Sequence, residues 1–309
     1  KKGKRKAQTY KGVRIIEASE KTKDDIQDDS EVVIIGSDVC ALYPSLTDIE
    51  VAIICYQAIL DSDVKFQNFN FRVASMYIAM HMTEDEQRRS PLYRVLPRRT
   101  TRNGVRPGVG AKPGNEENWM FPAEDRTEFE ERLIVAMATQ IGVLTMMSTH
   151  RYSFAGKTYL QNSGGPIGLR ATCAVARVVM NTWDTKWMEM MTTNNLTIIT
   201  GVRYMDDIRA FLHAIRAGWR MWDGRLCFCE EWKMEDMKDG KSATRRTAEI
   251  LLNLMNQIMP FLKFTMEIGE DFINMKLPPL DVRIWIRIGR IEYNFFKLQT
   301  TSLGDKLQH

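Results

Sequence analysis

Long apolar runs are missing from this sequence. No stretch reaches the roughly 20 residues that cross a bilayer, and no basic-then-apolar leader opens the chain. The expectation is a soluble intracellular protein, nuclear or cytoplasmic, with no membrane partner. Cysteine is scarce and unpatterned. The five cysteines (Cys40, Cys55, Cys173, Cys227, Cys229) lack metal-ligand spacing, and Cys227 and Cys229 are separated by one residue rather than the two of a zinc knuckle. Their odd number fits free thiols in a reducing compartment. Charge of one sign is weak as well. The formal net charge is +4 and the pI about 8.7, so charge alone requires no nucleic-acid partner. No internal repeat is visible.

What is present is an ordinary globular balance. The 309 residues are 44% hydrophobic and 27% charged, enough to bury a core in one large or two ordinary domains. Positive charge gathers in the opening KKGKRK and in a stretch from Arg88 to Lys112. The first reads as a solvated tail or as an import or phosphate-binding arm.

Along the chain, residues 1–30 read as a loose charged arm, or as the end of something upstream. EVVIIGSD (31–38) reads as a buried strand ending in Asp. Thr47 and Glu50 form a capping-box pattern ahead of a helix to about residue 60. Another apolar element, read as helix, covers 66–82. Residues 83–127 carry five prolines and seven arginines up to Arg106, and read as a long inserted loop that either grips a nucleic-acid backbone or is disordered. Trp119 and Phe121 either stack on single-stranded bases or pack that insert. A helix is expected over 128–150, a strand within 152–160, and a glycine-rich turn at Gly164–Gly168. A helix over 171–192 packs Met188, Met190 and Met191. Strands at 196–203 and 208–215 flank Tyr204–Asp207, and 216–243 reads as a polar spacer. A helix at 244–259 precedes three closing strands, the last two joined at Gly289-Arg290.

The sharpest chemical feature is Tyr204-Met205-Asp206-Asp207 between two β-like runs. Adjacent carboxylates within an apolar stretch are costly unless a cation meets them. Alone, the pair is equally an ordinary surface turn. Asp38 ends a buried strand and alone is equally a turn or capping residue. If that strand lies beside the hairpin, three carboxylates face one another and suit two divalent cations about 3.5–4 Å apart. Tyr43, five residues after Asp38, is either a core ring or a platform under an incoming sugar. In QNSGGPIG (161–168), glycines allow close backbone approach to a nucleotide ahead of a helix N-terminus. A lone glycine-rich loop is weak, and its place between the carboxylate elements gives it meaning.

Together these strings resemble reverse transcriptases, with a flavour closest to Penelope-like and other non-LTR retroelement enzymes. SDVCALYPSL (37–46) looks like the first palm motif, YLQNSGGPIGLRATCAVARVVM (159–180) the second, and RYMDDI (203–208) the third. FLKFTMEIGED (261–271) and LPPLDVRIWI (277–286) look like the strands after the fourth motif and the primer-grip hairpin. The resemblance spans 31–297 with gaps. It implies an α+β right-hand polymerase palm, an antiparallel sheet backed by helices. Fingers and thumb are expected to be truncated, because 37 residues precede Asp38 and few follow 297. Residues 1–30 would be an arm or the end of missing fingers, 83–127 an insert, and 298–309 a tail.

The resemblance implies RNA-templated DNA synthesis by two-metal-ion nucleotidyl transfer from deoxynucleoside triphosphates to a primer 3′-hydroxyl. Its cofactors would be two Mg2+ ions, with Mn2+ as a substitute, held by Asp38, Asp206, Asp207 and Val39. Its partners would be an RNA template and a DNA or RNA primer. Tyr43 would exclude a 2′-hydroxyl. Gln161, Gly164, Gly165, Tyr204 and Met205 would contact substrate, and Lys263 is either a general acid or a solvated strand lysine. Arg170 and Ala171 depart from the family's Ser-Pro, and the first and second motifs stand unusually far apart. An RNA-dependent RNA polymerase typically carries Gly where Met205 stands, and a family-B DNA polymerase an Asp-Thr-Asp pattern that is absent. Loss of a carboxylate would mark a non-catalytic nucleic-acid-binding scaffold, and all three are present. The chain opens on Lys, and the expectation is a palm-centred portion of a longer retroelement protein.

Overall fold

An apolar run at 32–35 and alternation of buried and half-buried residues along 207–215 build a four-stranded sheet. The computed structural model describes residues 8–99, 119–122, 125–272, 282–287 and 290–295. It is a mixed helix-and-sheet structure whose strands pair antiparallel. The chain divides into two units, one of residues 1–42 and 183–309, the other of 43–182.

In the first unit four strands lie in the order Phe264–Ile268, Gln27–Val39, Asp207–Ile215, Ile198–Tyr204. Side chains alternate between the faces of a strand. Val33, Ile35, Ile208, Ala210 and Leu212 therefore share one face and are all buried. The helix Ala243–Ile258 crosses that face, capped by Ser242 and burying Leu251 and Leu254. Trp183 stacks on Trp187 (5.5 Å, 11°) and on Phe264 (4.8 Å). Trp183 and Trp187 lie on the helix Arg170–Thr193; of the three methionines expected to pack it, Met191 is buried while Met188 is exposed. Gln27 is wholly buried and fully used: its amide donates to the Thr197 and His213 carbonyls and accepts from Thr197 N.

Two segments differ from their expected looseness. Residues 8–30 form short strands at Thr9–Tyr10, Val13–Arg14 and Ile16–Glu17 and a helical turn at Lys23–Ile26, before the sheet strand begins at Gln27. Buried Ile15, Ala18 and Ile26 anchor them among the charges. Residues 216–243 are no spacer. Strands Trp219–Trp222 and Arg225–Phe228 form a hairpin whose second strand pairs with Ile16–Glu17, and the helix Glu230–Asp239 follows. Ile15, Cys227, Cys229 and Trp232 form their common core. Arg220, on Glu235 (2.9 Å) and Asp236 (2.7 Å), ties the hairpin to the helix. Val282–Arg287 pairs with Arg290–Phe295, so Arg290 belongs to the return strand rather than to a turn.

In the second unit the helix Glu128–Thr149 packs against Asp48–Leu60 and Phe71–His81. It is long and apolar enough to cross a membrane by length and composition, against the expectation of no such stretch. Here it buries Leu133 and Ile134 against Ile78, Leu92 and Leu96. The expected insert is therefore partly core. Glu84–Arg89 is a helix with a full Thr83/Glu86 capping box, and Leu92, Val95 and Leu96 are buried behind it. Three of its arginines are engaged: Arg88 with Glu84, Arg94 with Glu130, and Arg98 over the Tyr93 ring at 4.2 Å. Phe121 lies under the Arg72 guanidinium at 4.2 Å, and Trp119–Met120 pairs with Arg98–Arg99. Thr47 precedes its helix as expected, but its hydroxyl binds Glu50 instead of a backbone N–H, so no complete box forms. Burial pushes the Cys55 thiol up to about 11, and in the first unit it does the same to Cys227. KKGKRK, residues 100–118, 273–281 and the 298–309 tail lie outside the described residues.

Candidate active site

Asp38 sits at the end of its strand, directly across from Asp207 in the antiparallel register. Thr265 flanks Asp38 on the other side, and Tyr204 flanks Asp207. Residues directly opposite in a ladder project to the same face, so this row of four lies opposite the helix-covered face. Behind Asp38, the buried Ser37 hydroxyl donates to the Thr265 carbonyl (2.8 Å) and fixes the two strands to each other. Asp206 occupies the turn, where its carbonyl accepts Val39 N at 3.3 Å. The structure thus brings Asp38, Val39, Asp206 and Asp207 together from two distant stretches of chain.

Electrostatics at this end of the sheet are adverse to three free carboxylates. Burial first, then the charges of Asp206 and Asp207, raise the Asp38 carboxyl above its ordinary value. Asp207 is raised as well, by burial, although the Arg209 guanidinium opposes that rise. Arg209 stands two residues on, on the same face, with Nη1 2.5 Å from Asp207 Oδ1 and Nη2 3.9 Å from Glu267. That oxygen of Asp207 is buried. Among the described residues, no group of three or more His, Cys, Asp or Glu side chains forms a preassembled metal cage.

The turn itself is held by residues that the sequence pattern did not flag. Met205 has φ +56°, the left-handed region that non-glycine residues rarely adopt. Arg203 Nη1 donates to the Met205 carbonyl (2.8 Å), while Nε and Nη2 grip both oxygens of Asp184 (2.6–3.0 Å). A forked guanidinium makes this three-way tie, and an ammonium has no matching geometry. Tyr204 is largely exposed beside the turn. Lys263 is exposed just ahead of its strand, and its carbonyl accepts Cys40 N at 2.7 Å.

Within the second unit, the glycine-rich turn and Tyr43 come together. Gly165 N donates to the Tyr43 carbonyl (2.7 Å), and the Tyr43 hydroxyl lies 3.5 Å from Cys173 Sγ. A Cβ at Gly164, where φ is +79°, would stand 2.8 Å from Pro44 Cα, and one at Gly165 2.6 Å from Thr172 Cγ2. The glycines therefore serve close packing against residues 43–44, and the Gly165 N–H is already committed, in place of the free nucleotide contact the pattern suggested. Gln161 Nε2 donates to the Ser163 and Gly164 carbonyls (3.0 and 2.9 Å) and shapes that turn from inside.

Comparison of the chain with protein-family models, with curated proteins and with solved structures finds no match.

Proposed function

We propose that this chain is the palm-centred part of a reverse transcriptase, copying RNA into DNA. The observation that carries the reading is the register of Asp38 against Asp207, with Asp206 in the adjoining turn. Asp38 and Asp207 stand side by side there, at the open end of a sheet whose other face is packed on helices. The donor set suits hard divalent cations: it is all oxygen and its charges repel. Asp38, Asp206, Asp207 and Val39 would hold Mg2+ or Mn2+, which when bound neutralises phosphate charge and acidifies the primer 3′-hydroxyl.

The chain's own residues supply positioning, the larger part of phosphoryl-transfer catalysis. Arg203 and Asp184 fix the turn carrying Asp206. Arg209 balances the negative charge on Asp207. On the resemblance, Tyr43, five residues after Asp38, is the gate against a 2′-hydroxyl, its backbone set by Gly165; exposed Tyr204 and half-buried Met205 border the primer end. Lys263, exposed, protonates the departing pyrophosphate.

Primer extension on an RNA template, with an annealed DNA primer and Mg2+, tests this. Extension with deoxynucleotides only, lost in a protein carrying Asp206→Asn and Asp207→Asn, is the expected result. Equal use of ribonucleotides would remove Tyr43 as gate and favour an RNA polymerase. Binding of template and primer by both proteins without extension by either would favour a non-catalytic scaffold.

A further inference from the structure

We propose that the hairpin of Arg151–Phe154 and Lys157–Leu160 is a stacking platform for the unpaired template strand. The identity of that strand rests on the polymerase reading; the stacking does not. Ala155 (φ +49°) and Gly156 (φ +75°) make a tight turn with both central residues left-handed. The register sets Tyr152 opposite Tyr159 and Phe154 opposite Lys157, all on one face. Every residue of both strands is exposed. Tyr152 is 49%, Tyr159 40% and Phe154 70% exposed, which is far from core behaviour.

Two-stranded ribbons are marginal alone, and this one is stiffened locally. The tyrosine rings stack on each other (5.5 Å, 20°), and Gln161 N donates to the His150 carbonyl (2.9 Å) to close the base. Both rings of the stacked pair are exposed, as aromatic platforms for nucleobases require.

Charge indicates the occupant. The chain has 39 acidic residues, yet none lies between Glu131 and Asp184; Arg132 in this interval pairs back to Glu128, and Arg151, Lys157, Arg170 and Arg177 are exposed. Such a stretch attracts a polyanion without repulsion of its own. The hairpin also runs directly through Gln161 into the glycine turn that is tied to Tyr43. Rings plus cations, continuous with the proposed nucleotide-facing turn, fit single-stranded nucleic acid.

Anisotropy titration of the full chain with a short labelled oligouridylate, and with a duplex, tests the proposal. Tyr152→Leu/Tyr159→Leu keeps apolar bulk and removes the rings; Tyr152→Phe/Tyr159→Phe keeps them. The Leu pair is expected to weaken single-strand binding roughly tenfold or more, with duplex binding, salt slope and melting point unchanged. The Phe pair binds like wild type, and Lys157→Gln lowers the salt slope by about one. The titration reads binding without nucleotides or extension, so failure of the polymerase reading leaves this measurement intact. Equal single-strand affinity for the Leu pair and wild type would overturn the platform, as would absence of single-strand binding by wild type. Loss of affinity for phosphatidylserine vesicles with oligouridylate binding intact would overturn it in favour of a lipid contact.

Discussion

Met205 bears the least comfortable backbone conformation of the turn, and its neighbour Arg203 keeps it there. A non-glycine residue in the left-handed region costs about 1–3 kcal/mol and persists only where its surroundings over-determine it. Here a single guanidinium binds the Met205 carbonyl and both Asp184 oxygens. Arg203→Lys keeps the charge and loses the fork. Its expected effect is an extension rate down by roughly tenfold, a raised Mg2+ requirement and unchanged primer–template binding, since sub-ångström misplacement of a reacting group is what such geometry controls. Unaltered extension kinetics would show that the turn holds itself. Gly164→Ala adds a methyl 2.8 Å from Pro44 Cα at a φ of +79°. Chemical denaturation is expected to show a loss of about 2 kcal/mol. Legibility at this scale was uneven. Asp38 and the Asp pair were readable because a carboxylate closing an apolar run is conspicuous. Arg203 carries no such signal, because its partner, Asp184, lies on a preceding helix and no local pattern links them.

Among elements, the N-terminus of the helix Glu128–Thr149 offers a pH test. Glu130 accepts from Thr127 N, Thr127 Oγ1 and the Arg94 guanidinium. The Thr127 backbone bond first, then Arg94, hold its carboxyl below its ordinary 4.5. A depressed folded-state pKa stabilises above the unfolded value and ceases to do so as pH falls through the folded one. Glu130→Gln is therefore expected to lower the melting point at neutral pH. The gap to wild type should close in the acid range below 4.5, where the wild-type carboxyl takes up its proton. A pH-independent gap would mean that shape, not charge, is lost. The long helices and the central strands were legible from periodicity. Short strands were not. Two- to four-residue segments such as Ile16–Glu17 and Trp219–Trp222 owe their existence to partners far along the chain, and a few buried anchors among many charges look like spacer. The expected insert deceived in the same way, because Leu92 and Leu96 sit between prolines and arginines yet fill the core beneath Glu128–Thr149.

At the scale of the molecule, one sheet is assembled from three separated stretches of sequence, and the candidate site exists only because they meet. The strand order puts Asp38 in the middle of the sheet and the Asp206–Asp207 turn beside it, so neither segment alone contains the chemistry. Folding must close long loops before this pairing forms, and the site is an outcome of the whole first unit. The measurement that bears most directly on this account is extension of a DNA primer on an RNA template by the full chain, with deoxynucleotides and Mg2+, beside Asp38→Asn. That substitution keeps size and strand pairing and removes one charge from the segment remote from the Asp pair. The account predicts extension by wild type and a loss of at least about a hundredfold in Asp38→Asn with melting point and nucleic-acid binding retained. Undiminished extension by Asp38→Asn, or none by a wild-type protein that binds primer and template, would contradict it.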